Sequence, residues 1–300
     1  MSSSAADPGR SLPIPQGVGT GWMDVQGIRT RVYEVDPGNS LTPLVLLHGA
    51  GTDSALVSFG SVLGSLGRRR RVIAPDLPGY GDTQFTASPY SIPWYADWVV
   101  DLIRRLGFDG VDLGGLSLGG WITLEVAIGN PGVVRRIVPV NPGGVSETVR
   151  FMRTAEWVAH HPFVNRYMYR WYGRWGRALV RLQLRQIIAN PTSLTDDLID
   201  AVLLNCRRPH AGEAFSATQR WAFGLGRQGL SLTSRLSQVR AKTLVLAGRN
   251  DKIVPVADSV RAAGLVGDGE VRVFEPCGHW LVRDCPVEFV DAVERFLDGA

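Results

Sequence analysis

Apolar positions along the chain follow two kinds of pattern. Residues 20–25 and 28–35 alternate apolar and polar side chains on either side of Gly27, which predicts a β-hairpin. Six short, continuous Val/Leu/Ile runs then appear at 43–48, 71–75, 111–115, 136–140, 242–248 and 270–275. Continuous runs of that length suit parallel strands buried on both faces. Between them lie helix-like stretches at 54–66, 92–106, 121–129, 256–265 and 287–297. The last is clearest, with Phe289, Val290, Val293, Phe296 and Leu297 on one face. Strands alternating with helices predict an α/β architecture.

Residues 146–235 break this rhythm. They hold long Arg-rich helical segments and no strand candidate, with four Trp, three Tyr and four Phe. A helical block between two strands predicts a cap over the sheet edge where open α/β sheets bind ligands. The expected organisation is therefore a mobile polar tail at 1–19, a core at 20–145, a helical cap at 146–235 and the rest of the core at 236–300.

Charge sharpens the picture of the cap. The net +4 arises from 32 basic and 28 acidic residues, and only Lys242 and Lys252 are lysines. The cap has thirteen Arg against six acids, so the excess is local. The arginines are scattered among aromatics, without a basic helix or zinc finger, so nucleic acid is not expected as a partner. Their stems can cover apolar surface while the heads stay in water, or the cap can draw in anionic small molecules. At 300 residues with 45 % hydrophobic and 20 % charged positions, the chain can build a sizeable core. No apolar run approaches the ~18 residues of a membrane span, and the N-terminus lacks a signal peptide's apolar core. Three cysteines, Cys206, Cys277 and Cys285, are too few for a disulfide framework, and Cys277 is expected as a buried, inert thiol. These features favour a cytosolic protein without membrane partners, and a homo-oligomer is compatible with them.

The sharpest chemical signal is Gly115-Leu116-Ser117-Leu118-Gly119, directly after the run at 111–113. A serine forced into a tight strand-to-helix turn needs neighbours without Cβ atoms, and glycines at 115 and 119 meet that need. The hydroxyl needs a base. Of five histidines, His160, His161 and His210 are expected as solvated cap residues, and His48 as an organiser of its own loop. His279, between the last strand and the last helix, is the expected base. Asp251, in the turn after the run at 242–248, is the expected orienting carboxylate, with turn capping or pairing to Arg249 or Lys252 as its alternatives. Oxyanion donors are expected at the N–H groups of Ala50, in His48-Gly49-Ala50-Gly51, and Leu118. Gly49, Trp121 and Trp280 are candidate substrate-binding residues, although each Trp could equally pack in the core. Asp82 and Thr83 are expected as turn formers. No zinc spacing, P-loop or dinucleotide fingerprint is present, so neither metal nor cofactor is indicated.

Together, His48-Gly49-Ala50-Gly51, Asp76-Leu-Pro-Gly-Tyr-Gly81, Gly115-Leu-Ser-Leu-Gly119, Gly248-Arg-Asn-Asp251 and Cys277-Gly-His-Trp280 make the sequence resemble the α/β-hydrolase family over about residues 20–300. The resemblance implies an eight-stranded, mostly parallel sheet with helices on both faces, a helical cap after the sixth strand, and no cofactor. Serine at 117 excludes the Asp-dependent epoxide hydrolases and haloalkane dehalogenases of that family.

Ser117-Leu-Gly-Gly120, Asn141-Pro-Gly-Gly144 and His279-Trp280 are similar to the meta-cleavage-product hydrolases, which cut C–C bonds in dienoate acids. Two departures count against that activity. Leu116 stands where that group usually has Asn, and the cap arginine that holds the substrate's acid falls at Val202, with Arg207 and Arg208 as neighbouring substitutes. Monoalkyl phthalate esterases are similar too, and an Arg-rich aromatic cap suits their anionic aromatic esters. Ester hydrolysis is therefore expected ahead of C–C cleavage, with a non-catalytic ligand-binding homologue as the alternative of another class.

Overall fold

The computed structural model of the chain describes residues 12–146, 157, 160–161, 163–224 and 231–299. Eight strands make one sheet: β1 (Gly19–Val25), β2 (Ile28–Val35), β3 (Leu44–Leu47), β4 (Val72–Pro75), β5 (Val111–Leu116), β6 (Val134–Val140), β7 (Lys242–Gly248) and β8 (Gly269–Phe274), in the order β1-β2-β4-β3-β5-β6-β7-β8. β1 and β2 pair antiparallel, as do β2 and β4, and every later pairing is parallel. The hairpin turns at Gln26 and Gly27, both with positive φ. That is the two-residue geometry whose twist matches the flanking strands.

Strand pleating explains the continuous apolar runs. Leu44 and Leu46 enter the core on one face, while Val45 and Leu47 enter the core on the other. The first face is covered by α1 (Ala55–Phe59), α2 (Leu63–Leu66), α10 (Leu281–Asp284) and α11 (Pro286–Asp298), through Phe59, Leu63, Leu281 and Phe289. The second face takes α3 (Ile92–Arg105), α4 (Leu118–Gly129) and α9 (Val256–Leu265), through Tyr95, Trp98, Ile122 and Ala262. α4 is buried all round at 118–128, and its one acid, Glu125, is held by both terminal nitrogens of Arg235 at 2.9 and 3.0 Å.

Two expectations change at the element scale. The helix expected over 54–66 divides at Gly60 into α1 and α2. The expected tail at 1–19 is shorter where the chain is described: Val18 is buried, and Leu12 packs against the same core cluster. Residues 1–11 lie outside the described residues.

Between β6 and β7 the described chain is helical: α5 (Phe163–Trp175), α6 (Arg177–Leu184), α7 (Asp196–Cys206) and α8 (Glu213–Phe223). Residues 147–156, 158, 159, 162 and 225–230 of the expected cap lie outside the described residues. The helices are tied to the core loops by hydrogen bonds. Asn205 Nδ2 donates to Thr52 O (2.9 Å), and Thr218 Oγ1 donates to Tyr90 O (2.8 Å). These contacts fix the cap against the loops that leave β3 and β4.

Candidate active site

Ser117 is the single residue between β5 and α4, and it has φ 54° and ψ −106°. A β-substituted residue enters that region only when its surroundings hold it there. The grip is visible. Ser117 N donates to Val140 O, and its carbonyl accepts from Trp121 N and Gly143 N, each at 2.9 Å. A Cβ at 115 would overlap the carbonyl of Gly119, and one at 119 would overlap Leu47 O. Both glycines are thus steric conditions of the turn.

His279 Nε2 lies 2.9 Å from Ser117 Oγ, and its Nδ1 lies 2.7 Å from Asp251 Oδ2. A carboxylate can only accept, so Nδ1 carries the proton and Nε2 is left to accept the serine O–H. Asp251 also caps its turn, accepting from Ile253 N (2.7 Å) and Val254 N (3.0 Å) through Oδ1. The capping alternative and the orienting role therefore coexist, one on each oxygen. Arg249 pairs instead with Glu275.

The loop after β3 is fixed from within. His48 is fully buried, with Nδ1 on Gly49 O (2.7 Å) and Nε2 accepting from Leu77 N (2.9 Å). Burial pushes its pKa down to about 4, which keeps the ring neutral. Gly49 lies against the nucleophile, since a Cβ there would stand 3.7 Å from Ser117 Cβ. Leu118 opens α4, so its N–H belongs to the set with no carbonyl a turn behind it.

The remaining candidates divide. Trp121 packs on Gly143 and Gly144, with its ring centroid 6.0 Å from that of Trp221 in α8, where core meets cap. Trp280 is a core residue, in correction of a pocket-lining role: it is 4 % exposed, and its Nε1 donates to Ser58 Oγ at 3.1 Å. Arg207 is exposed and donates to Gly173 O (3.0 Å). Arg208 pairs with Asp82 (2.6 Å) and donates to Asn205 Oδ1 (3.0 Å). The Arg208 guanidinium is thus paired within the protein, whereas the exposed Arg207 donates through Nε alone. Asp82 gains a partner that its turn motif does not disclose. His160 and His210 are exposed as expected, and His210 stacks on Phe85. His161 is half-buried beside Trp157. Cys277 is not a free thiol. It is joined to Cys285, because α10 turns the chain back until the two Cα atoms are 6.5 Å apart, within bridging range.

Two further residues organise the His279 loop. Asn141 (φ 40°) donates to Gly278 O (3.1 Å) and His279 O (2.7 Å), and accepts from Gly248 N (2.9 Å). It thus fixes the base's loop to the end of β7. Asp284 accepts from Gly278 N (2.7 Å), Ala189 N (2.9 Å) and Asn190 N (3.0 Å), joining that loop to the segment after α6. Asn141 belongs to the Asn141-Pro-Gly-Gly144 motif, whose spacing does not disclose this role. Asp284 carries no local signal, because its partners are 6 and about 95 positions away. Among the described residues, no group of three or more His, Cys, Asp or Glu is placed to hold a metal, and no helix is long and apolar enough to cross a membrane.

A parallel sheet carrying serine, histidine and aspartate at its C-terminal edge, in that chain order, defines a hydrolase of the α/β class. The chain belongs to the Alpha/beta hydrolase family, whose profile matches residues 44–292. It is 33 % identical over 281 residues to a 2-hydroxy-6-oxo-2,4-heptadienoate hydrolase of Pseudomonas putida strain F1, covering 90 % of this chain and 93 % of that protein. It is 30 % identical to a 2-hydroxymuconate semialdehyde hydrolase of Pseudomonas sp. strain CF600, covering 91 % and 92 %. Among solved structures it is similar to a serine hydrolase involved in carbazole degradation (CarC), with TM-score 0.77 and 25 % identity, covering 94 % of this chain and all of that one.

Proposed function

We propose that this hydrolase cleaves a carboxylic ester of a small aromatic molecule through an acyl-enzyme on Ser117. One observation carries the reading: the unbroken hydrogen-bonded chain from Asp251 through His279 to a serine held in a strained elbow. His279 takes the Ser117 proton as Oγ attacks the carbonyl, and the N–H groups of Ala50 and Leu118 receive the oxyanion. Collapse expels the alcohol, protonated by the imidazolium, and a water activated by His279 then releases the acid. A cytoplasmic site of action is part of the proposal; the Cys277–Cys285 bond, of a kind rare in that compartment, weighs against it, and cell fractionation decides.

The names of the relatives favour a second reading, C–C hydrolysis of a dienoate acid. The site's polarity weighs against it. Leu116, where that branch usually has Asn, is 2 % exposed, and Val202, where its acid-holding arginine falls, is 1 % exposed, so both positions are apolar and buried. Arg208 is paired with Asp82 and Arg207 faces solvent, so no preference for an anionic ester is expected.

The test is a paired assay of wild type and Ser117→Ala. Its panel contains p-nitrophenyl esters, a monoalkyl phthalate with its dialkyl counterpart, and one meta-cleavage dienoate. We expect Ser117-dependent ester turnover, with kcat/KM for the two phthalates within about tenfold of each other. The variant should fall by several orders of magnitude with its fold intact. Preferred turnover of the dienoate would replace the ester reading with C–C hydrolysis. Equal residual activity in wild type and variant would make the chain a non-catalytic ligand-binding homologue.

A further inference from the structure

Asp53 is a buried carboxylate with no part in the proton transfer just described. It is 4 % exposed and lies five residues beyond His48. Three donors converge on its two oxygens. Oδ2 accepts from Gly49 N (2.7 Å) and Ser58 Oγ (2.6 Å), and Oδ1 accepts from Ser54 N (2.8 Å). Ser58 Oγ accepts in turn from Trp280 Nε1 at 3.1 Å. One end of this chain is the residue before Ala50, and the other is the residue after His279.

The consequence is geometric. A peptide unit is planar, so the Ala50 N–H moves with the Gly49 carbonyl. That carbonyl is held by His48 Nδ1, while the amide on the other side of Gly49 is held by Asp53. Gly49 is itself pressed between the carboxylate and the nucleophile: a Cβ there would stand 2.9 Å from Asp53 Oδ2 and 3.7 Å from Ser117 Cβ. Freeing either side would let the 49–50 peptide turn, and an oxyanion donor acts only when already aimed at the developing charge.

We infer that Asp53 is a positioning residue: its carboxylate fixes the Gly49–Ala50 peptide against Ser117 and, through Ser58 and Trp280, couples the oxyanion donor to the loop that carries the base. This rests on the acyl-transfer reading above. A carboxamide cannot replace the carboxylate, because its amino group would face a donor on one side or the other.

The experiment measures the second-order rate at which a fluorophosphonate labels Ser117, a reaction that forms the Oγ–P bond, expels fluoride and places the phosphoryl oxygen in the oxyanion site. The probe does not depend on knowing the natural substrate. Steady-state kcat and KM on a p-nitrophenyl ester accompany it. Asp53→Asn should slow labelling and kcat by ~10- to 100-fold, less than the loss of a whole donor, with KM changed less than about threefold. Ser58→Ala, which removes one of the three donors and the acceptor for Trp280, should shift both rates the same way by about three- to tenfold. Should Asp53→Asn not fold, Ser58→Ala decides alone. Folded variants labelled within about twofold of wild type would overturn the inference. A wild type that the probe does not label at all would overturn the acyl-transfer reading, and this inference with it.

Discussion

At the scale of single residues, the elbow depends on two missing Cβ atoms. Gly119 sits where a methyl would overlap Leu47 O, which belongs to a strand with no room to retreat. Gly129, at the other end of the same helix, meets nothing within 4 Å. Gly119→Ala should therefore lower stability by more than about 3 kcal/mol, the range of severe backbone and packing conflicts. Gly129→Ala should be neutral or stabilise by up to about 1 kcal/mol, because it only restricts the unfolded chain. Urea unfolding of both variants checks this, and equal midpoints would show that the elbow tolerates a β-carbon. The serine, its flanking glycines, His279 and Asp251 were legible in the sequence because their requirements are local. Each follows its own strand, and the elbow's sterics act over four residues. The Arg208–Asp82 pair was not legible, since its partners are 126 positions apart and meet only through the cap's packing.

At the scale of elements, runs buried on both faces announced the strands, and β7 begins and ends where its apolar run does. Helix ends were harder. α4 begins at Leu118, where the elbow places it, although its apolar pattern starts only at 121, because Gly119 and Gly120 add no apolar side chain. The cap's attachment to the His279 loop was hidden too, since it runs through Asp284. Gly278 shows how close that attachment is: a Cβ there would stand 2.7 Å from Ile187 O and 3.0 Å from Ala189 N. Burial raises the Asp284 pKa, while the N–H groups of Ala189, Gly278 and Asn190 oppose that rise by bonding to the ionised form. Asp284→Asn sets an amino group against one of those donors and should cost about 1–3 kcal/mol, the penalty of a buried donor left unpaired. The loss should be local. Amide exchange at 187–190 and 277–279 is expected to speed up relative to β5 and β6, and uniform protection across both regions would refute the clamp.

At the scale of the whole molecule, three buried groups around the loop after β3 set an acid response. Burial raises Asp76, like Asp53, to about 6, while it lowers His48 to about 4. The signs differ. A carboxyl whose pKa is raised on folding holds its proton more tightly in the native state, so its contribution is fully present below the unfolded value and is lost as pH rises through about 6. An imidazole whose pKa is depressed contributes above the unfolded value and loses that contribution as pH falls toward about 4. Between pH 7 and 4.5, His48 should therefore remove about 2–3 kcal/mol of stability, and Asp76 should add about 2 kcal/mol. Gln at 48 can still donate to Gly49 O and accept from Leu77 N without titrating. Whatever it loses at pH 7, His48→Gln should recover against wild type by about 2–3 kcal/mol at pH 4.5. Asp76→Asn should move the opposite way, falling further behind wild type as the solution is acidified. It would no longer accept fully from Ala55 N and Asp82 N, and it could not take up the proton. Urea unfolding of the three proteins at both pH values separates these slopes. Parallel slopes would mean that neither group changes protonation differently on folding, and the acid response would then have to come from the exposed ion pairs.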